Sequence, residues 1–277
     1  MTVKALGRFA GLAAIVLLAL VISAAAQKPK ISNVDLCNGK NFPAPMRIAG
    51  CTAIIKSSGD NPAVLAIAHN NRGNAFSATG EYELAIQDYD ESIKQNPTYA
   101  KPFNNRGLAY QKKGQYDLAM EDFNAALDID PNYADAFANR GETYQIQGNY
   151  SNAVKDFNEA IRLQSDLAVV WSERCWVRAK IGELHGALAD CNEAIKLKPD
   201  AAAFDSRGLT HLKLGELDAA VADYNSALQL NPQMASAQYG RGLAKLKRGD
   251  RAGGNADIAA AKKVDKNIAN EFAGFGL

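Results

Sequence analysis

The sequence predicts an all-α fold: a right-handed α-superhelix of about six stacked helix hairpins, with a cap at each end of the stack. Three observations predict it. Arginine recurs at 72, 106, 140, 174, 207 and 241, in steps of 34, 34, 34, 33 and 34. Glycine keeps those steps at 80, 114, 148, 182, 215 and 249, and aspartate keeps them at 88, 122, 156, 190, 223 and 257. A fixed period of this length marks a repeat architecture, in which each unit cannot bury its apolar face alone and stacks on copies of itself.

The first element is an address. Lys4 and Arg8 precede an apolar run from Phe9 to Ile22, and Ala24-Ala25-Ala26 supply the small residues that signal peptidase reads. Residues 1–26 are therefore expected to be a secretory signal peptide cleaved before Gln27, leaving a periplasmic or secreted chain with no membrane span. The alternative is an anchor through an uncleaved N-terminal helix, because Phe9 to Ala26 is near the lower limit for crossing a bilayer.

Residues 27–65 are expected to form an N-terminal capping segment. Within it, Met46 to Ile55 reads as the second helix of a hairpin without its first, with Cys51 in the slot that Tyr89 and Cys191 take later. Export bears on the four cysteines, because an oxidising compartment turns thiols into disulfides. Four cysteines allow three pairings. Their spacing favours Cys37 with Cys51, 14 residues apart, and Cys175 with Cys191, 16 apart; four buried thiols are the alternative.

Six blocks follow, at 66–99, 100–133, 134–167, 168–200, 201–234 and 235–268. Each holds two helical-period segments divided at a central glycine, which suits a left-handed turn. Small residues where the two helices cross let the backbones approach, and proline or its neighbours stop the second helix. The aromatic slot holds Phe103, Phe137, Trp171 and Phe204; the first small slot holds Gly73, Gly107, Gly141, Cys175, Gly208 and Gly242. The second small slot holds Ala85, Ala119, Ala153, Ala187 and Ala220, and the closing proline is Pro97, Pro131, Pro199 or Pro232. On these residues the chain, from Ala66 to about Lys266, resembles the tetratricopeptide repeat family. The sixth block is degenerate, with Gln238, Lys245 and Gly254 in place of aromatic, aromatic and alanine. Residues 269–277 are expected to close the stack as a C-terminal cap, with a short helix from Asn267 to Ala273.

Composition excludes several functions. With residues 1–26 removed, 29 Lys and Arg face 30 Asp and Glu, a balance that gives no support to nucleic-acid binding. Three histidines and four cysteines without metal-ligand spacing argue against a metal, and no phosphate loop or nucleophile motif argues for a cofactor or an enzyme. His69 and His211 occupy aromatic slots and read as packing substitutes, while His185 has no catalytic constellation around it.

Two constellations remain. The first is a ladder of structural ion pairs, each arginine preceding its aspartate by 16 residues: Arg72 and Asp88, Arg106 and Asp122, Arg140 and Asp156, Arg174 and Asp190, Arg207 and Asp223, Arg241 and Asp257. Such pairs would join first and second helices within a repeat or across to its neighbour, and fix register more than they bind ligands. The second is asparagine. Asn71, Asn105 and Asn139 recur just before each arginine, flanked by Asn70, Asn74 and Asn104. Resemblance to long tetratricopeptide superhelices implies that Asn71, Asn105 and Asn139 hold a peptide backbone on the concave face, each offering a donor and an acceptor. The slot lapses afterwards, at Glu173, Ser206 and Gly240, and the alternative is a helix-packing motif. Lys101, Gln111, Glu142, Gln145 and Trp176 are expected on the same inner face. The lysine and arginine placement of repeats that clamp chaperone carboxylates is missing, since Asp135 and Asn139 stand there. The expected function is an exported, non-catalytic scaffold for another protein or peptide in envelope assembly. The alternative is a small-molecule carrier using Leu209, Leu212 and Leu243.

Overall fold

The computed structural model describes residues 31–277, and all regular structure among them is helical. The expected signal peptide lies outside the described residues. Helices α1 (Asn33–Asn38) and α2 (Ala44–Ser57) form the N-terminal cap. Six hairpins follow: α3 (Pro62–Ala78) with α4 (Tyr82–Gln95), α5 (Ala100–Lys112) with α6 (Tyr116–Ile129), and α7 (Ala134–Ile146) with α8 (Tyr150–Leu163). The second three are α9 (Ala168–Ile181) with α10 (Leu184–Leu197), α11 (Ala201–Leu214) with α12 (Leu217–Leu230), and α13 (Ala235–Lys247) with α14 (Arg251–Val264). A last short helix, α15 (Ile268–Ala273), precedes the C-terminus. Each second helix packs on its own first helix and on the first helix of the next repeat, and the first helices line the inner side.

The hairpin geometry follows from two glycines per repeat, and the second repeat shows both. Gly114 turns the chain at φ +74°, in the left-handed region where a side chain would be strained. Gly107 lies where α5 crosses α6; a Cβ there would stand 2.7 Å from the Phe123 ring, which is fully buried. The aromatic therefore takes the space the glycine vacates. Truncating such a ring to alanine costs about 3–5 kcal/mol. In the fourth repeat and in the cap this contact is covalent. Cys175 and Cys191 are joined at 1.99 Å S–S and Cys37 and Cys51 at 2.06 Å, with Cys51 and Cys191 each standing where the other repeats place their ring.

Three expectations need correction. Met46 to Ile55 does have a first helix before it, and Cys37 belongs to it: Ser32 caps α1 by accepting from the Asp35 amide while the Asp35 carboxylate accepts back from Ser32. The cap is thus a shortened hairpin rather than a half-repeat. The first repeat begins before residue 66, because Asn61 caps a 17-residue α3 with Pro62 at its first position. Residues 269–277 reach beyond the last hairpin, which their helix also contacts. After α14 the chain turns inward, and Phe272 and Phe275 pack against Tyr239 and Trp176, both carried by first helices.

Candidate functional site

The arginine at each repeat makes three bonds, which together set the stacking. Its Nε and Nη2 hold both oxygens of the aspartate 16 residues on, as in Arg140 to Asp156 at 2.7 and 2.8 Å. Its Nη1 reaches back to the second helix of the preceding unit. Arg140 bonds Asn124 at 2.7 Å, Arg174 bonds Asn158, Arg207 bonds Asn192, Arg241 bonds Asn225, and Arg106 bonds Asp90. At the cap, Arg72 bonds Thr52 at 3.1 Å. The pairing is therefore both within a repeat and across to its neighbour. The guanidinium also lies over the aromatic three residues earlier, 5.5 Å from the Phe137 centroid and 4.8 Å from Trp171. Burial opposes ionisation of Asp88, but its bonds to Arg72 and His69 outweigh that and hold its carboxyl below the usual range; at Asp122 burial prevails over Arg106 and pushes the carboxyl up. His69 is accordingly not a packing substitute, because its Nδ1 stands 2.8 Å from Asp88.

The asparagines form a continuous chain along the inner face. Asn139 donates to Asn104 at 2.8 Å, Asn104 to Asn105 at 3.4 Å, and Asn105 to Asn70 at 2.9 Å. Asn70 then donates to Asn71 at 3.2 Å, and Asn71 to Asn38 in the cap at 2.9 Å. Six carboxamides thus lace the cap and three repeats together. Asn70 and Asn104 are 3% exposed and form the floor, not the rim, while Asn71, Asn105 and Asn139 are half-buried. Asn74 is engaged differently, accepting the Tyr89 hydroxyl at 2.8 Å.

Above this floor lies a cleft of about 500 Å³, walled by Tyr99, Tyr133 and Leu108 and flanked by Lys40, Lys101 and Asp135. Tyr99, Tyr133 and Lys40 escape the sequence reading. The tyrosines had a signal: they recur 34 residues apart, two residues after each closing proline. Lys40 had none, since its place depends on the fold of the cap.

Glu142, Gln111, Gln145 and Trp176 do not join this cleft. Gln111 is buried and donates to Thr143 at 3.1 Å. Gln145 and Trp176 line a second cavity of about 260 Å³ over repeats four to six, with Glu173, Asp205 and Glu271. Burial raises the Glu173 carboxyl, and Glu142 adds to the rise. Asp205 is pushed up to about 7, by burial first and by Glu271 second, with Ser236 alongside opposing only in part. Asp205 Oδ1 is sealed from solvent and has no hydrogen-bond partner. Leu209 and Leu212 do not line any cavity described here; they are core residues, 4% and 2% exposed. Among the described residues no helix is long and apolar enough to cross a membrane.

The family model described as "TPR repeat" matches residues 73–114 and 208–249, and that described as "Tetratricopeptide repeat" matches 100–133 and 134–167. No curated protein sequence matches the chain. Solved structures share its fold at low identity. The TPR protein YrrB, described as having an unusual peptide-binding site, superposes with a TM-score of 0.55 at 20% identity, over 69% of this chain and 100% of that one. The APC/C hetero-tetramer Cut9-Hcn1 superposes with a TM-score of 0.69 at 15% identity, over 86% of this chain and half of that one. Pseudomonas aeruginosa pilF superposes with 0.66 at 18% identity, over 76% and 98%. The repeat spacing, the paired helices and these matches agree: the chain belongs to the tetratricopeptide repeat family, whose fold is a scaffold for protein–protein interaction.

Proposed function

We propose that the chain is an exported, non-catalytic scaffold that holds an extended segment of another envelope protein in the cleft over repeats one to three. The asparagine chain carries this reading. Asn71 and Asn105 each spend one donor and one acceptor on their neighbours and Asn139 spends one donor alone, so all three keep an amide proton and a lone pair for a ligand. Packed helices lie about 8–10 Å apart. An extended chain advances about 3.3 Å per residue, so roughly every third peptide unit would meet a rung. Tyr99 and Tyr133 supply apolar walls, and Lys40 and Lys101 favour a segment with acidic side chains. YrrB is a relative in fold whose description already includes peptide binding. Two disulfides fit an oxidising compartment, which supports export and a periplasmic or secreted location.

The carrier reading has less support, because the cleft is polar-floored and Leu209 and Leu212 are committed to the core. A photocrosslinker at exposed Lys101, compared in cells with one at Leu118, exposed on second helix α6, tests the proposal. Position 101 should capture a discrete protein partner and position 118 should not. Equal capture at both, or none at 101, would reject use of this cleft.

A further inference from the structure

The C-terminal ten residues behave as a ligand of the chain that carries them. Ile268, Phe272 and Phe275 are 1%, 2% and 5% exposed. They gain this burial by lying across the inner face of repeats four to six. Phe275 stands edge-on to Trp176, with centroids 5.6 Å apart, and Phe272 meets Tyr239 at 4.8 Å. Lys180 Nζ sits 4.0 Å from the Phe275 centroid. Two aromatic rings three residues apart, one near the end of a short helix and one in the turn after it, fill an aromatic-lined groove in the manner of a bound amphipathic segment.

The polar side of the same contact is badly matched. Glu271, immediately before Phe272, faces the cavity that also holds Asp205 and Glu173. Three carboxyls share the space: burial and then Glu271 raise Asp205, burial and then Asp265 raise Glu271, and Asp205 Oδ1 is left without a partner. Lys180, the nearby cation, eases Glu271 but is engaged over Phe275. A sealed acceptor without a donor destabilises the contact that seals it.

The geometry points to a second docking surface, the inner face of repeats four to six, occupied by the chain's own tail and built for a partner helix with two aromatics three residues apart and Lys or Arg directly before the first. That basic residue would take the place of Glu271 and supply Asp205 Oδ1 with the donor it lacks; Glu173 already accepts from Gln145 Nε2 at 2.9 Å. The inference stands apart from the asparagine cleft, and either can fail without the other.

The test uses the full chain with Phe272→Ala and Phe275→Ala, which undocks the tail without shortening the protein. Two labelled peptides are titrated into it: the native decapeptide Ile268–Leu277, and the same peptide with lysine at the Glu271 position. The lysine peptide is expected to bind about tenfold tighter or better, since one good charge pair is worth about 1.4 kcal/mol, and wild-type protein should bind it more weakly than the double variant. Saturation by neither peptide at millimolar concentration, or equal affinity for both, overturns the proposal. If the double variant does not fold, Glu271→Lys in the otherwise native chain decides. Hydrogen exchange of residues 268–277 should then slow by about threefold or more, and unchanged or faster exchange overturns the proposal.

Discussion

Repeats one to three and repeats four to six share a backbone plan and differ at one slot. Four residues after the ladder arginine, the first three repeats carry Phe76, Tyr110 and Tyr144, and the last three carry Arg178, His211 and Lys245. In the C-terminal half each of these nitrogen-bearing side chains turns to the rung. Arg178 Nη1 stands 2.8 Å from Asp190, Lys245 Nζ 2.8 Å from Asp257, and His211 Nε2 3.6 Å from Asp223. The first rung has His69 as a second partner, but Asp122 and Asp156 each depend on one arginine. The lesson is that a degenerate repeat is not a weaker one: aromatic packing lost from the consensus is exchanged for a doubled ion pair. The inner face divides at the same boundary, into an open asparagine-floored cleft and a groove filled by the tail.

The largest expected effect tests the doubled rungs. Arg140→Ala leaves Asp156 buried and uncompensated, a loss of about 3–5 kcal/mol by denaturant unfolding. Arg174→Ala should cost at least about 1 kcal/mol less, because Arg178 still bonds Asp190. If the two cost the same, the second cation does not support its rung. An unchanged melting temperature in Arg140→Ala would show that the arginines serve a ligand instead of the fold.

Next come the disulfides. Reduction of Cys175–Cys191 opens a loop of 16 residues in the middle of the stack, worth about 3 kcal/mol in the chain-entropy model. Reduction of Cys37–Cys51 should release the cap alone. Hydrogen exchange after replacing each pair with alanine separates the two cases: the first should raise exchange across repeats four to six, and the second only across α1 and α2.

The tail contact is expected to depend on pH, with a sign opposite to that of an ordinary ion pair. Asp205 ionises near 4 in the unfolded chain and at about 7 in the fold, so between those values the folded state holds a proton the unfolded state lacks. Stability therefore falls as pH rises from about 4 to about 7, by about 2 kcal/mol once partial solvent access is allowed for. Glu271 on the tail and Glu173 on α9 face the same cavity and act in the same sense, while Lys180 opposes. Asp205→Asn should flatten the profile, measured as the melting temperature against pH. A slope that persists in this variant would place the effect elsewhere.

Much of this was legible in the sequence because repetition supplies its own controls. Six coincident arginine–aspartate spacings expose a ladder that a single pair could not, and the cysteines stand in slots whose occupants are known from the other repeats. The unreadable parts are those that occur once. The inward turn of residues 268–277 depends on Trp176 and Tyr239, 99 and 36 residues away from Phe275, and no periodicity reports such a contact. The asparagine register was visible, but its direction was not. That each side chain donates to the neighbour one slot earlier follows from how far consecutive first helices are offset, which only stacking fixes.

The smallest effect sharpens the division of the inner face. Asn105 sits at the centre of the chain, accepting from Asn104 and donating to Asn70, whereas Asn139 begins it and makes one of these links. Asn105→Ala should cost about 1 kcal/mol more in stability than Asn139→Ala, since it strands a buried donor on Asn104 as well as a buried acceptor on Asn70, whereas Asn139→Ala strands only the acceptor on Asn104. If the ladder also holds a ligand, both substitutions should weaken partner binding further than their stability loss accounts for, and should leave affinity at the tail-filled groove unchanged. Asn105→Asp isolates the two roles. It keeps an acceptor toward Asn104 but replaces the donor toward Asn70 and the spare donor toward a peptide carbonyl, so a ligand-holding ladder would lose binding while a purely structural one would lose only stability.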